Sequence, residues 1–310
     1  MPDLTVLTWL WAQPGGRAAY TAAHVNVWAG MVRRHLAMPH RIACVTDMPD
    51  GIDASIDIIA PPRDFETFRI PTWGEDKPQC LRRVAMFRPD AADIFGPRFV
   101  SMDLDCIISG PLDPLFDRPE DIVLYRGATA TRPYNGSMLM MTAGARPAVH
   151  ADLTPERAVE AGHRFIGSDQ AWISARLGYG EATWGQEHGI VWFGSGVARV
   201  SPSTRIMFFF GNPKPWDLVD RGVDDWAAEH YRGGGRGRCL VLGYHPSVWT
   251  DATAALATGP FDAVIASPEA AAHWPGSPIF ARDDAHADRL ARMHGFDEVV
   301  FCGRSEALAA

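Results

Sequence analysis

The chain has 310 residues, 47% of them apolar, with 29 basic against 37 acidic residues and a formal net charge of −8. That length and apolar share suit about two packed domains and exclude a disordered chain, and the acidic balance excludes a nucleic-acid or anionic-membrane surface as the main business. The scattered Cys44, Cys80, Cys106, Cys239 and Cys302 contain no C-x-x-C pair, the opening residues have no basic n-region, and no apolar run approaches a membrane span; free thiols, a cytoplasmic location and no transmembrane segment are expected.

Residues 4–11 are apolar or β-branched almost throughout, which predicts a strand buried on both faces. From Thr21 the period changes: Val25, Trp28, Val32 and Leu36 recur at helical steps while Arg33, Arg34 and His35 take the other face, so a helix is expected to about Ala37. Strands follow at 41–46 and 56–60. Asp76-Lys77-Pro78 reads as a helix start, with Leu81, Val84 and Ala85 on one apolar face. Beyond residue 120, 121–125 reads as a strand and 135–142 as another, entered through the turn pair Asn135-Gly136. Helices are expected at 156–163 and from Asp169, the latter with Ser168 as N-cap. Short strands at 190–193 and 198–200 precede an apolar strand at 205–210 that stops at Gly211-Asn212-Pro213-Lys214-Pro215-Trp216. A charged segment and the glycine-arginine run at 233–238 read as a linker, and the strand patterns at 239–244, 263–266 and 299–302, with helical patterns at 252–257 and 285–293, read as a small unit of their own. The expected organisation is a first domain over 1–217, a linker over 218–238, and a small Rossmann-like α/β unit of unknown role over 239–310.

The stretch FVSMDLDCII, residues 99–108, sets Asp103 and Asp105 on one side of an extended chain inside an apolar run. Two adjacent carboxylates there repel each other and lose hydration, and a hard divalent ion such as Mg²⁺ or Mn²⁺ compensates both effects with positions left for phosphate oxygens. A strand that ends in a turn, its acids capping backbone N–H groups, is the other reading. A third is a haloacid-dehalogenase-like phosphatase with Asp103 as nucleophile, Asp105 as acid/base and Asp283-Asp284 as the later acidic pair, although that triplet normally follows the first strand of its domain.

Taken in order, the opening strand and helix, the Lys77 segment, FVSMDLDCII, YNGSMLMM, GSDQAW and FFGNPKPW resemble the GT-A-fold glycosyltransferases over about residues 4–217. The likeness is greatest to the family 8-like enzymes of the glycogenin and bacterial lipopolysaccharide sugar transferase type. It implies an α/β, GT-A (Rossmann-like nucleotide-diphospho-sugar transferase) fold and retaining hexosyl transfer from a nucleotide-sugar, UDP-linked by preference, to a carbohydrate or other acceptor. It further implies that Asp103 and Asp105 hold Mn²⁺ or Mg²⁺, that Thr8, Lys77, Leu104, Gly211 and Lys214 contact the donor, and that Asn135, Asp169 and Gln170 form the catalytic pocket. One position departs from the pattern. The family places a histidine metal ligand near the start of the last motif, where this chain has Phe208, Phe209 and Phe210. Either His188 or His245 substitutes, or water and diphosphate complete the shell, or activity has been lost and the protein only binds a nucleotide-sugar.

Overall fold

The structure is a computed structural model that describes residues 4–12, 20–74, 77, 79–194, 196–220, 225–232, 238–242, 263–266, 278–281, 286 and 298–302. β1 (Leu4–Leu10) is buried at every residue, as its unbroken apolar pattern requires of a central strand. α1 (Ala22–His35) crosses back from it to β2 (His40–Thr46), burying Val25, Trp28, Ala29, Met31 and Val32. β3 (Asp57–Ile59) follows.

Residues 81–87 correct the helix expected from a single apolar face. They form a 3₁₀ stretch, Leu81–Phe87, that is buried on all sides, Arg82 and Arg83 included. Arginine tolerates this only with partners. Arg82 Nε donates to the Pro62 carbonyl at 2.8 Å and its Nη2 lies 3.3 Å from Glu66; Arg83 reaches into the site described below.

α2 (Ala91–Phe95) leads into β4 (Arg98–Met102), and β5 (Cys106–Ile108) resumes after the acid triplet, followed by α3 (Asp113–Phe116). β6 (Ile122–Thr129) and β7 (Arg132–Thr142) make an antiparallel pair, then α4 (Ala148–Ala151), α5 (Pro155–Arg164), α6 (Asp169–Leu177), β8 (Ala182–Trp184), β9 (Ile190–Trp192), β10 (Ile206–Phe208), α7 (Pro215–Asp220) and α8 (Asp225–Arg232) complete this part of the chain. Residues 198–200, expected as a strand, are irregular.

The main sheet has seven strands in the order β3-β2-β1-β4-β7-β6-β8. Its first four strands run parallel, and β7 pairs antiparallel with both β4 and β6. The chain therefore leaves β1 toward β2 on one side and returns to β4 on the other. At such a reversal a crevice opens beyond the carboxyl ends of the two strands. A second sheet of three strands, β5-β10-β9, begins directly after the acid triplet, so Asp103-Leu104-Asp105 is the link between two sheets rather than the middle of one strand. Leu7, Trp9, Phe87, Phe95 and Phe99 pack in one core cluster over the main sheet; burying each such side chain contributes roughly 1.5–3 kcal/mol.

The chain divides into two compact units, Met1–Ala227 and Ala228–Ala310. In the second unit β11 (Arg238–Leu242), β12 (Ala263–Ala266), β13 (Ile279–Phe280) and β14 (Glu298–Cys302) form an all-parallel sheet in the order β13-β12-β11-β14. The helices expected at 252–257 and 285–293, the loop 243–247 with His245, and Asp283-Asp284 lie outside the described residues, apart from His286. Among the described residues no helix is long and apolar enough to cross a membrane.

Candidate active site

A cavity of about 590 Å³ opens at the carboxyl ends of β1 and β4. Trp9 to Ala12 form one wall, the acid triplet another, and Asn135, Ser168, Asp169, Gln170, Gly211 and Lys214 close it.

The two acids of the triplet are held from opposite sides. The Asp103 amide donates to the Ser137 carbonyl at 2.8 Å, and the Phe209 amide donates to the Asp105 carbonyl at 2.9 Å, so each sheet fixes one end of the link. Arg83 Nη1 lies 2.5 Å from Asp103 Oδ1, while its Nε donates to Asp169 Oδ2 at 2.8 Å and its Nη2 lies 2.7 Å from the same oxygen. One guanidinium thus bridges two carboxylates that come from different elements. Burial alone would lower the Arg83 pKa, but Asp169 and Asp103 outweigh it and hold the group well above its usual value, fully charged.

Asp105 Oδ2 accepts from Lys214 Nζ and, at 3.1 Å, from the Tyr20 hydroxyl. Burial and the neighbouring Asp103 raise the Asp105 pKa, with Lys214 and Tyr20 opposing them. Burial, then Asp105 and Asp103, push the Tyr20 phenol up, which keeps it a neutral donor. Lys214 Nζ also donates to the Phe209 carbonyl at 3.2 Å. The lysine gets there because Gly211 turns the chain at a φ of 86°, a left-handed conformation that favours glycine. Trp216 then packs on His24 and Tyr20, with ring centroids 4.0 and 5.6 Å apart, which seats the Lys-Pro-Trp loop against the start of α1.

Asn135-Gly136 is not the entrance turn expected from its sequence. Both residues lie inside β7, where the pairing with β6 jumps from Leu124↔Leu139 to Tyr125↔Asn135. Asn135 Oδ1 accepts from the Ser137 amide at 2.9 Å, and Gln170 Oε1 accepts from the Gly136 amide at 3.1 Å, so these side chains hold the irregularity open. A Cβ on Gly136 would lie 2.8 Å from Arg83 Nη2 and 3.1 Å from Asp169 Oδ2; the Arg83–Asp169 pair needs glycine beneath it. Ser168 stands at the N-cap of α6, yet its hydroxyl does not cap the helix. It accepts from the Cys80 amide at 3.0 Å and lies 3.3 Å from Asp169 Oδ1.

The cavity collects Asp103, Leu104, Asp105, Lys77, Asn135, Asp169, Gln170, Gly211 and Lys214 from the sequence expectations. Thr8 is the exception: it is fully buried, two residues short of the end of β1, and does not line the cavity. Sequence reasoning missed Arg83, Tyr20, Trp73 and Arg132. Arg83 had a signal, two arginines in a run that is otherwise apolar.

For a divalent ion the donors are Asp103 and Asp105. Each already faces a cation of the protein, and among the described residues no cluster of three or more His, Cys, Asp or Glu forms a metal site. His188, a sequence candidate for the third ligand, caps its own turn by accepting from the Gly185 amide at 3.2 Å and is not part of the cavity wall. Of the three phenylalanines, Phe208 packs on Tyr125 and Phe209 stacks on Phe193, both buried, whereas Phe210 is 40% exposed and faces the cavity. The set fits an ion that arrives with phosphate oxygens and displaces Lys214 from Asp105, not one held by protein donors alone.

No protein-family model matches the chain, and no curated protein matches it in sequence. Solved structures similar to it include glycosyltransferases. They include the galactosyltransferase LgtC, crystallised with donor and acceptor sugar analogues, at 13% identity over 68% of this chain and 89% of that one with a TM-score of 0.44. The glycosyltransferase GlyE of Streptococcus pneumoniae is another, at 13% identity over 98% and 82% of the two chains with a TM-score of 0.46.

Proposed function

We propose that the first unit transfers a sugar from a nucleotide-sugar donor to an acceptor hydroxyl within this cavity. What carries the reading is the pair of buried cations, Lys214 and Arg83, set against Asp103, Asp105 and Asp169 at the carboxyl ends of β1 and β4. In such a transfer the bond between sugar C1 and the diphosphate oxygen breaks with its electrons going to the diphosphate. The acceptor oxygen then forms the new bond to C1, and its proton passes to the departing diphosphate. Negative charge grows on the leaving phosphate, and a lysine ammonium fixed beside it stabilises the transition state more than the ground state. Arg83 is a positioning residue here, holding Asp103 and Asp169 apart and oriented. Asn135 and Gln170 shape the wall through the backbone of β7. Asp103 and Asp105 would hold a divalent ion that arrives with the donor, and such an ion would supply further positive charge to the diphosphate.

UDP as the nucleotide, a hexosyl group and retention of configuration come from the motif resemblance. The phosphatase reading is less favoured, since Arg83 pairs with Asp103 Oδ1 at 2.5 Å and the triplet follows several elements rather than the first strand. Thermal unfolding against a panel of nucleoside diphosphates with Mn²⁺ tests the proposal. UDP at a hundred times its dissociation constant is expected to add about 2.7 kcal/mol of stability. Stabilisation by no nucleotide would sink the donor assignment. UDP binding without transfer or hydrolysis of any UDP-sugar would leave a binding protein in place of an enzyme.

A further inference from the structure

The cavity carries cations at a second place, away from the acid triplet. Trp73 ends the 3₁₀ turn Pro71–Trp73; Lys77 Nζ lies 4.4 Å from the centre of its ring and the Arg132 guanidinium carbon 5.9 Å. All three side chains line the cavity. Among the described residues no carboxylate pairs with Lys77 or Arg132, and Arg132 Nε is buried with no hydrogen-bond partner. A guanidinium NH shut away from water without an acceptor costs free energy, so this arginine, whose side chain lines the cavity, is only partly satisfied by the protein. Burial lowers the Arg132 pKa, in keeping with a desolvated charge.

We propose that Lys77 and Arg132, held on the Trp73 ring, form a subsite for an anionic group, a carboxylate or a phosphate, borne by a saccharide acceptor. This rests on the glycosyl-transfer reading of the same cavity. The place of Arg132 argues for the acceptor over the donor. It begins β7, three residues from Asn135 and on the order of 10 Å along an extended strand, whereas the cation beside the acid triplet that suits a diphosphate is Lys214. The cations at the acid-triplet end are already paired with Asp103, Asp105 and Asp169, whereas Lys77 and Arg132 face no described carboxylate, so an acceptor's negative charge is drawn toward the Trp73 end. Lys77, which the motif resemblance placed on the donor, thereby belongs to the acceptor.

The test is calorimetry on the full chain with UDP and Mn²⁺ present, using three probes of one skeleton: a β-linked glucose disaccharide, its terminal 6-carboxylate and its 6-phosphate. At least one charged form is expected to bind tenfold or more tighter than the neutral one, and the tighter of the two identifies the anion. Arg132→Gln should erase that preference, Arg132→Lys should restore part of it, and neither should change the UDP dissociation constant. Equal binding of all three probes would overturn the proposal, as would a preference that survives Arg132→Gln. Loss of UDP affinity in Arg132→Gln would also overturn it, by moving the arginine to the donor. Failure of UDP to bind the unaltered protein, with the preference for charged probes intact, would remove the transferase reading and leave the anion subsite standing.

Discussion

Mn²⁺ titrated into the protein alone will give little heat, and the same titration with UDP present will show clear binding. Charge explains the difference. Asp103, Asp105 and Asp169 face Arg83 and Lys214, three carboxylates against two cations, so the cluster carries little net charge, and a bare divalent ion must compete with Arg83 for Asp103 and with Lys214 for Asp105. A diphosphate adds negative charge and supplies the oxygens that two aspartates cannot provide to a six-coordinate ion. Asp105→Asn will abolish the nucleotide-dependent binding. Phe210→His will do the reverse: it places an imidazole at the one phenylalanine of the three that faces the cavity, and nucleotide-free Mn²⁺ affinity should rise by about tenfold, on the order of 1.4 kcal/mol. Tight Mn²⁺ binding by the unaltered protein without UDP would defeat this account, because it would require a third protein ligand.

Replacing Arg83 will destabilise the protein strongly. Its guanidinium is 8% exposed and holds two carboxylates, Asp169 at 6% exposure and Asp103 at 28%. Arg83→Met would strand both, and breaking a buried pair from one side costs roughly 3–5 kcal/mol. For a unit of this size that is a fall in melting temperature on the order of 10 °C. Arg83→Lys will not rescue it, since a point charge cannot span two carboxylates as the planar fork does. Adding Asp169→Asn to Arg83→Met should recover part of the loss, because it removes one of the uncompensated charges. Thermal unfolding of the single and double variants measures this directly. A drop of only a degree or two for Arg83→Met would mean that water replaces the guanidinium and that the bridge does little.

The α/β opening was legible because β1 and α1 carry clean periods: continuous burial in one, Val25, Trp28 and Val32 on one face of the other. The lining of the candidate cavity was legible where polar residues are concentrated in short motifs, at Asp103, Asp105, Asp169 and Lys214. It was not legible where a side chain is used against its local pattern. Asn135-Gly136 has the composition of a turn, but the tertiary need for space beneath the Arg83–Asp169 pair put it inside a strand. Leu81–Phe87 reads as one face of a helix, yet the pattern treats arginine as a surface residue, and Arg83 is internal because its partners lie 20 and 86 positions away. Thr8, which the motif resemblance assigned to the donor, is fully buried and does not line the cavity.

The ion pair between Asp105 and Lys214 spans 109 positions of the chain, and this matters while the protein is being made. A nascent chain that has emerged only as far as α6 already has Arg83, Asp103 and Asp169, but nothing to neutralise Asp105. It also lacks β10, the partner that pairs with β5 and donates from Phe209 to the Asp105 carbonyl. Closing so long a loop is slow because chain entropy must be surrendered before the contact repays it. The Asp105–Lys214 side of the cavity is therefore assembled last, when Lys214 leaves the ribosome. A fragment released before that residue will keep its first arginine bridge and leave Asp105 without its lysine.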